Sequence, residues 1–212
     1  MQFPRLLNRM RSHLKKPLKI IRKKCGTLEN YGKGTQAIGF YGKKYVYKLS
    51  PKNIGYFRCF HNRSVKDFKS DVRKMHPHFL KVDKIIYADK RLFVYKQRIC
   101  NIIKGQPVHK EYLALSILAM IIAMIKRNLI VTDIGPHNIG IYKNNILTFD
   151  LQGIKPFDQA DIGRLSKNLE KYLGYSVNIT SNTKNLKNIY KKYYKTHVNS
   201  LTNKQKKILK RK

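Results

Sequence analysis

Two aspartates and an asparagine stand where they can do chemistry together: Asp133-Ile-Gly-Pro-His-Asn138, then Phe149-Asp150-Leu151. A carboxylate five residues ahead of an amide, each beside an apolar run, can orient a hydroxyl and take its proton while the amide oxygen helps hold a metal. The second carboxylate follows a short strand predicted over 145–149 and closes the metal site from the other side. Mg²⁺ suits such a set, because it prefers hard oxygen ligands, keeps several waters, and needs only one or two carboxylates beside nucleotide phosphates. The chemistry these residues point to is transfer of a phosphoryl group to a hydroxyl.

Those groups need a partner half that holds the phosphates, and residues 31–48 have the composition for it. Gly32 and Gly34, with Thr35 beside them, let backbone approach phosphate oxygens without a side chain in the way. Gly42-Lys43 predicts a tight turn between a strand ending near Tyr41 and one running over 44–49. Strand alternation then puts Val46 and Lys48 on one face and Tyr45 and Tyr47 on the other. Lys48 is thereby placed under the glycine loop, where an ammonium can reach the α- and β-phosphates.

A glycine loop, a strand lysine, an Asp-x₄-Asn pair and a following Asp, in that order, resemble the protein-kinase-like superfamily over roughly residues 28–175. The resemblance implies an α+β, small two-lobed fold: an antiparallel sheet with one helix, then a reduced, mainly helical lobe. It implies ATP and Mg²⁺ as cofactors, Asp133 as the catalytic-loop acid, Asn138 and Asp150 as metal ligands, and Gly32, Gly34, Thr35 and Lys48 at the nucleotide. A helix acid should clamp Lys48. No Glu occurs between residues 30 and 110, so the role falls to Asp67 or Asp71, with Asp67 preferred. The chain departs from the pattern at Ala37 (third loop glycine), at Val131-Thr132 (His-Arg), at Gly135 (loop lysine) and at Leu151-Gln152 (Phe-Gly). His137 either replaces the missing loop lysine at the γ-phosphate or orients the loop. Asp161 is expected to anchor the catalytic loop by accepting backbone N–H bonds.

A narrower resemblance lies in Ile-Val-Thr-Asp133-Ile-Gly-Pro-His-Asn138-Ile, Phe-Asp150-Leu-Gln-Gly-Ile-Lys and Ala-Asp161-Ile-Gly-Arg-Leu. These runs look like the bacterial lipopolysaccharide-core sugar kinases and the small YrbL-type kinase-like proteins. Asp161 follows Asp150 by only eleven positions, whereas a protein kinase uses a longer segment there to present a peptide. The implied acceptor is a hydroxyl on a lipopolysaccharide-core or other membrane-borne sugar. A minimal Ser/Thr protein kinase of viral or bacterial-effector type is the alternative. A non-catalytic kinase-fold module that binds an anionic partner is the third reading.

Charge is the compositional anomaly: 46 Lys and Arg against 11 Asp and Glu give a net +35, which calls for an anionic partner. Residues 1–24 hold nine cations and no acid, interleaved with apolar residues that include Leu14, Leu18, Ile20 and Ile21. After Glu170 there are twelve cations and no acid, mixed with Tyr190, Tyr193 and Tyr194. Such interleaving suits an anionic membrane surface. Nucleic acid is less favoured, since no zinc-ligand spacing, helix-turn-helix signature or aromatic RNA motif accompanies the charge. The expected setting is cytoplasmic, with peripheral contact at the inner face of the cytoplasmic membrane.

The division read from the chain is a basic N-terminal segment (1–27), a first lobe (28–100), a second lobe (101–180) and a basic C-terminal helix or tail (181–212). Pro4 and Pro17 are expected to interrupt helix in the first of these, and no secretory core of apolar residues is present. The apolar run 112–125 is too short to span a bilayer and predicts a buried helix leading into the catalytic loop. The strand 92–97, then Ile99-Cys-Asn-Ile102, should be the link between lobes that contacts adenine. Residues 178–189 read as a loop, and the last dozen as mobile. Cys25, Cys59 and Cys100 form no C-x-x-C pair, which fits a reducing compartment.

Overall fold

Alternating apolar residues between 31 and 98 build an antiparallel sheet whose two faces receive different helices. The computed structural model describes residues 11–28, 31–33, 37–104, 106–131, 133–151, 153–179 and 182–210. It divides into a first unit, Met1–Lys74 with Lys81–Ile99, and a second, Met75–Leu80 with Cys100–Lys212. In the first unit, β1 (Tyr31–Lys33), β2 (Ile38–Tyr41), β3 (Tyr45–Pro51), β4 (Lys84–Ala88) and β5 (Leu92–Arg98) form one sheet in the order β1-β2-β3-β5-β4. The β2–β3 turn falls where Gly42-Lys43 predicts it, closed by the Gly42 N–H donating to the Tyr45 carbonyl at 2.8 Å.

Helix α1 (Arg11–Cys25) covers one face, burying Leu14 and Ile21 against Ile38, Phe40, Tyr47, Leu49, Leu92 and Val94. Each such aliphatic side chain contributes about 2 kcal/mol of burial. The helix runs through Pro17 rather than stopping there. The hydrogen bond lost at Pro17 is offset by apolar anchors on the turns before and after it. Helices α2 (Tyr56–Cys59) and α3 (Val65–Lys74) supply the rings on the other face. Phe68 lies 5.5 Å from Phe93 and 5.4 Å from Tyr95 between ring centroids, and Phe57 lies 5.0 Å from Phe93. Phe93 and Tyr95 are the register partners of Ser50 and Lys48, so α3 packs on the face that carries Lys48.

The second unit is organised by α4 (Lys110–Lys126), buried on nearly every side from Tyr112 to Ile125. No described helix is long and apolar enough to cross a membrane. Strand β6 (Asn101–Ile102) pairs with β8 (Ile139–Tyr142), which pairs with β9 (Asn145–Thr148); β7 (Leu129–Val131) pairs with β10 (Ile154–Pro156). Residues 75–80, read from sequence as first-lobe, join this unit: Thr148 exchanges backbone hydrogen bonds of 2.9 Å with His78 and Leu80. A 3₁₀ turn (Gln159–Asp161) leads into α5 (Ile162–Leu173), which buries Leu165, Leu169 and Leu173 at helical spacing.

Two expectations for the C-terminal region need correction. The supposed loop 178–189 turns helical at Thr183, where α6 (Thr183–His197) starts under an Asn182 cap that accepts from the Lys184 N–H. The supposedly mobile last dozen residues contain α7 (Asn203–Leu209), opened by a reciprocal capping box between Thr202 and Gln205. No disulfide joins Cys25, Cys59 and Cys100.

Burial raises several phenol pKa values. Tyr112 and Tyr190 are pushed up to about 12, chiefly by desolvation. A folded-state value above the unfolded one near 10 stabilises the fold below pH 10, and that contribution is lost as pH rises through about 12. The chain has 14 Tyr and no Trp, so tyrosinate absorbance is clean. We expect Tyr112 and Tyr190 to ionise only near pH 12, together with loss of helical circular dichroism. Their reversible ionisation well below that pH, with the helical signal intact, would contradict this packing.

Candidate active site

The β8–β9 hairpin brings the two expected metal ligands together. Its turn, Lys143-Asn144, has positive φ at both residues (49° and 65°), the geometry of a two-residue hairpin with native twist. The last register pair at the open end is Ile139 with Thr148. Immediately beyond it, the Asn138 carbonyl accepts from the Phe149 N–H at 3.1 Å and from the Thr148 hydroxyl at 3.0 Å. Asn138 is thus tied to Thr148 and Phe149, the two residues that precede Asp150, at the open end of one hairpin. Asp150 is half-buried.

Asp133 and His137 belong to the loop that enters this hairpin. The Asn138 N–H donates to the Gly135 carbonyl at 2.9 Å, and the Asn138 side-chain amide donates to the Asp133 carbonyl at 3.3 Å. The exposed Asp133 carboxylate accepts from the Gly135 N–H at 3.3 Å. A Cβ at position 135 would lie 3.2 Å from the same carboxylate oxygen, so the residue that replaces the usual loop lysine keeps Asp133 uncrowded. His137 is exposed in the same loop.

The loop has an anchor that sequence reading missed. Ile134 is fully buried, and its carbonyl accepts a 2.6 Å hydrogen bond from the Tyr172 hydroxyl on α5. The Tyr172 phenol is pushed up to about 12, by burial first and then by the negative charge of Asp133. Asp161, expected to hold the loop, accepts from the Asp158 N–H at 3.2 Å and pairs with Lys155 at 2.6 Å among the described residues. The available signal was position: Tyr172 follows Leu165 and Leu169 on the buried stripe of α5, and a tyrosine there must place its hydroxyl. Tyr172→Phe leaves a buried carbonyl unpaired, a cost of about 1–3 kcal/mol. We expect kcat to fall by about tenfold with KM for ATP unchanged, read by steady-state kinetics beside a thermal melt. A lower melting temperature with unaltered kcat would reduce Tyr172 to packing.

The first unit holds the other expected residues. Lys48 is half-buried on β3, between Gly39 of β2 and Tyr95 of β5 in register. Gly32 pairs with Gly39, and a Cβ at Gly32 would meet the Tyr41 hydroxyl at 2.9 Å. That atom is the tip of an exposed tyrosine side chain, which can shift to admit a Cβ. Gly39 was not singled out from sequence, although a Cβ there would touch Val46 at 3.0 Å. Gly34 and Thr35 lie outside the described residues.

Asp67, the expected clamp on Lys48, engages the start of its own helix. Its carboxylate accepts from the Ser64 N–H at 2.8 Å and the Ser64 hydroxyl at 2.7 Å, and stands 4.0 Å from Arg63. These bonds hold its pKa below the usual carboxylate value. Asp71 is buried on the same side of α3 as Phe68 and Val72, accepts from the Tyr56 hydroxyl at 2.6 Å and pairs with Lys74 at 3.0 Å.

No family model matches the chain, and no curated protein matches it by sequence. Solved structures do. A 2.2 Å crystal structure of WbdD aligns with a TM-score of 0.52 at 11% identity, over 87% of this chain and 50% of that one. A medium-resolution structure of WbdD, described as a bifunctional kinase-methyltransferase, aligns with a TM-score of 0.46 at 12% identity, over 84% and 47%. A divergent Toxoplasma kinase lacking the glycine-rich loop aligns with a TM-score of 0.46 at 13% identity, over 61% and 55%. The chain spans half or less of the WbdD chains it matches. The alignment with the 2.2 Å structure, together with a five-stranded antiparallel sheet followed by a mainly helical unit, gives this chain a small two-lobed protein-kinase-like fold.

Proposed function

We propose that the chain is an ATP- and Mg²⁺-dependent phosphotransferase acting on a hydroxyl, most suitably one on a lipopolysaccharide-core or other membrane-borne sugar. The observation that supports this reading is the tie of Asn138 to Thr148 and Phe149, immediately before Asp150 at the end of one hairpin, with Asp133 in the loop that enters it. An amide oxygen and a carboxylate oxygen form a hard donor pair that fits Mg²⁺. When bound, Mg²⁺ supplies neutralisation of phosphate charge. Asp133 orients the acceptor hydroxyl and takes its proton. His137, exposed beside Asn138, suits the γ-phosphate in place of the absent loop lysine. From the first unit, Gly32 and Lys48, with Gly34 and Thr35, suit the nucleotide phosphates. Asp71 is the better candidate than Asp67 to hold Lys48, because it sits on the sheet-facing side of α3. A small acceptor is supported by the segment after Asp150. It is taken up by β10 and a 3₁₀ turn before Asp161, with no long stretch to present a peptide.

The test is transfer from γ-labelled ATP with Mg²⁺, offering lipopolysaccharide core and generic protein substrates side by side, with Asp150→Ala in parallel. Label on the sugar, absent in the variant, is the expected result. Label on protein alone would replace the sugar with a protein acceptor. No transfer to either, with ATP still bound, would favour a binding module.

A further inference from the structure

Two helices, one in each unit, present lines of cations that the proposed chemistry does not use. On α1, Lys15, Lys16, Lys19, Arg22 and Lys23 are all exposed and fall within about a third of the helix circumference. On α6, Lys184, Lys187, Lys191 and Lys195 are exposed and fall within about a quarter of it, over roughly 17 Å of axis. Neither helix carries an acid, and no acidic residue follows Glu170 anywhere in the chain. Nothing on either helix neutralises these lines.

The opposite faces are occupied by the fold. Leu14 and Ile21 of α1 are buried in the sheet, so this helix cannot turn its apolar side to lipid as the interleaved sequence suggested. On α6, Tyr190 stacks with Tyr194 at 6.3 Å and donates to the Leu209 carbonyl at 3.4 Å, while Tyr193 lies 4.3 Å from the His197 ring. These tyrosines are therefore engaged within the protein and do not offer the stacking platforms that single-stranded nucleic acid uses. What remains exposed is ammonium, in eight of the nine cations. Lysine is a hydrated point charge suited to diffuse attraction, whereas recognition of individual phosphates in nucleic acid favours the arginine fork. A straight row of such charges can meet a planar anionic surface along its whole length.

We propose that the α1 and α6 lysine rows each bind the surface of an anionic bilayer by charge alone, without insertion of side chains. Binding of this kind needs no phosphotransfer, so vesicle and transfer assays succeed or fail separately. The experiment is co-sedimentation of the full chain with phosphatidylcholine vesicles, with and without about 30% phosphatidylglycerol, across ionic strength. Binding is expected only with the anionic lipid and is expected to vanish toward about 0.5 M salt, where the Debye length shrinks to a few ångströms. Each neutralised lysine should lower affinity roughly fivefold. Lys184→Gln, Lys187→Gln, Lys191→Gln and Lys195→Gln combined should therefore lower it by about two orders of magnitude or more. Lys15→Gln, Lys19→Gln and Lys23→Gln combined should act similarly, while Lys→Arg at the same positions keeps binding and all variants keep the wild-type melt.

Equal binding to neutral vesicles, binding that resists salt, or unchanged affinity in both glutamine variants would overturn the proposal. So would tighter binding to duplex or single-stranded oligonucleotide than to vesicles at the same ionic strength, lost in the same variants. The rows would then belong to nucleic acid.

Discussion

Replacing Asp133 with Ala is expected to stop phosphoryl transfer while ATP stays bound. A positioned proton acceptor contributes about 10²–10⁴ in rate, and orientation of the acceptor hydroxyl adds to this. The structure makes the test clean. The side chain of Asp133 is exposed and, among the described residues, accepts a long 3.3 Å bond from the Gly135 N–H. The loop is held by other means: the Asn138 amide on the Asp133 carbonyl, Asn138 on Gly135, and Tyr172 on Ile134. All three survive in the variant, so stability should shift by no more than about 0.5 kcal/mol. Single-turnover rates, nucleotide titration and a thermal melt separate the possibilities. Wild-type turnover would remove Asp133 from the chemistry, and loss of nucleotide binding would make it a structural residue.

How much of this arrangement could be read from sequence depended on whether neighbours in space were also neighbours in a periodic element. Alternation on β3 was enough to send Lys48 to one face and Tyr47 to the other, because side chains in a strand alternate without regard to what covers them. The adjacency of Asn138 and Asp150 was legible as spacing, since a short hairpin returns the chain to its starting edge. The local engagement of Asp67 was less plain, because Ser64-x-x-Asp67 is a helix-start pattern that uses this carboxylate before any residue of the sheet is considered. Tyr172 lies 38 positions from the carbonyl it holds, and no local rule joins positions so far apart. The run of Asn and Lys before α6 hid a helix. Its buried contacts come from single residues such as Leu186, too sparse to register as a stripe among so many cations.

Removing the other carboxylate should give a different phenotype. Asp150→Ala is expected to abolish the tightening of nucleotide binding by Mg²⁺, leaving the weaker metal-free affinity in place. Among the described residues, no group of three His, Cys, Asp or Glu side chains stands ready to hold a metal. The proposed function assigns capture of Mg²⁺ to Asp150 and Asn138 together with phosphate oxygens. Of the two protein groups only Asp150 is charged, and its attraction for a divalent ion is the largest single contribution the hairpin end can make. Loss of that charge should weaken the Mg²⁺-dependent part of nucleotide affinity by more than about tenfold. Asn138→Ala, which removes a neutral donor and also the amide bond to the Asp133 carbonyl, should weaken it less and slow transfer more. Nucleotide titrations with and without Mg²⁺ would separate these effects. Metal dependence retained in Asp133→Ala but lost in Asp150→Ala would assign the two carboxylates to different tasks, one at the hydroxyl and one at the metal. Metal dependence retained in both would put the ion elsewhere and remove the reason for reading the hairpin end as its site.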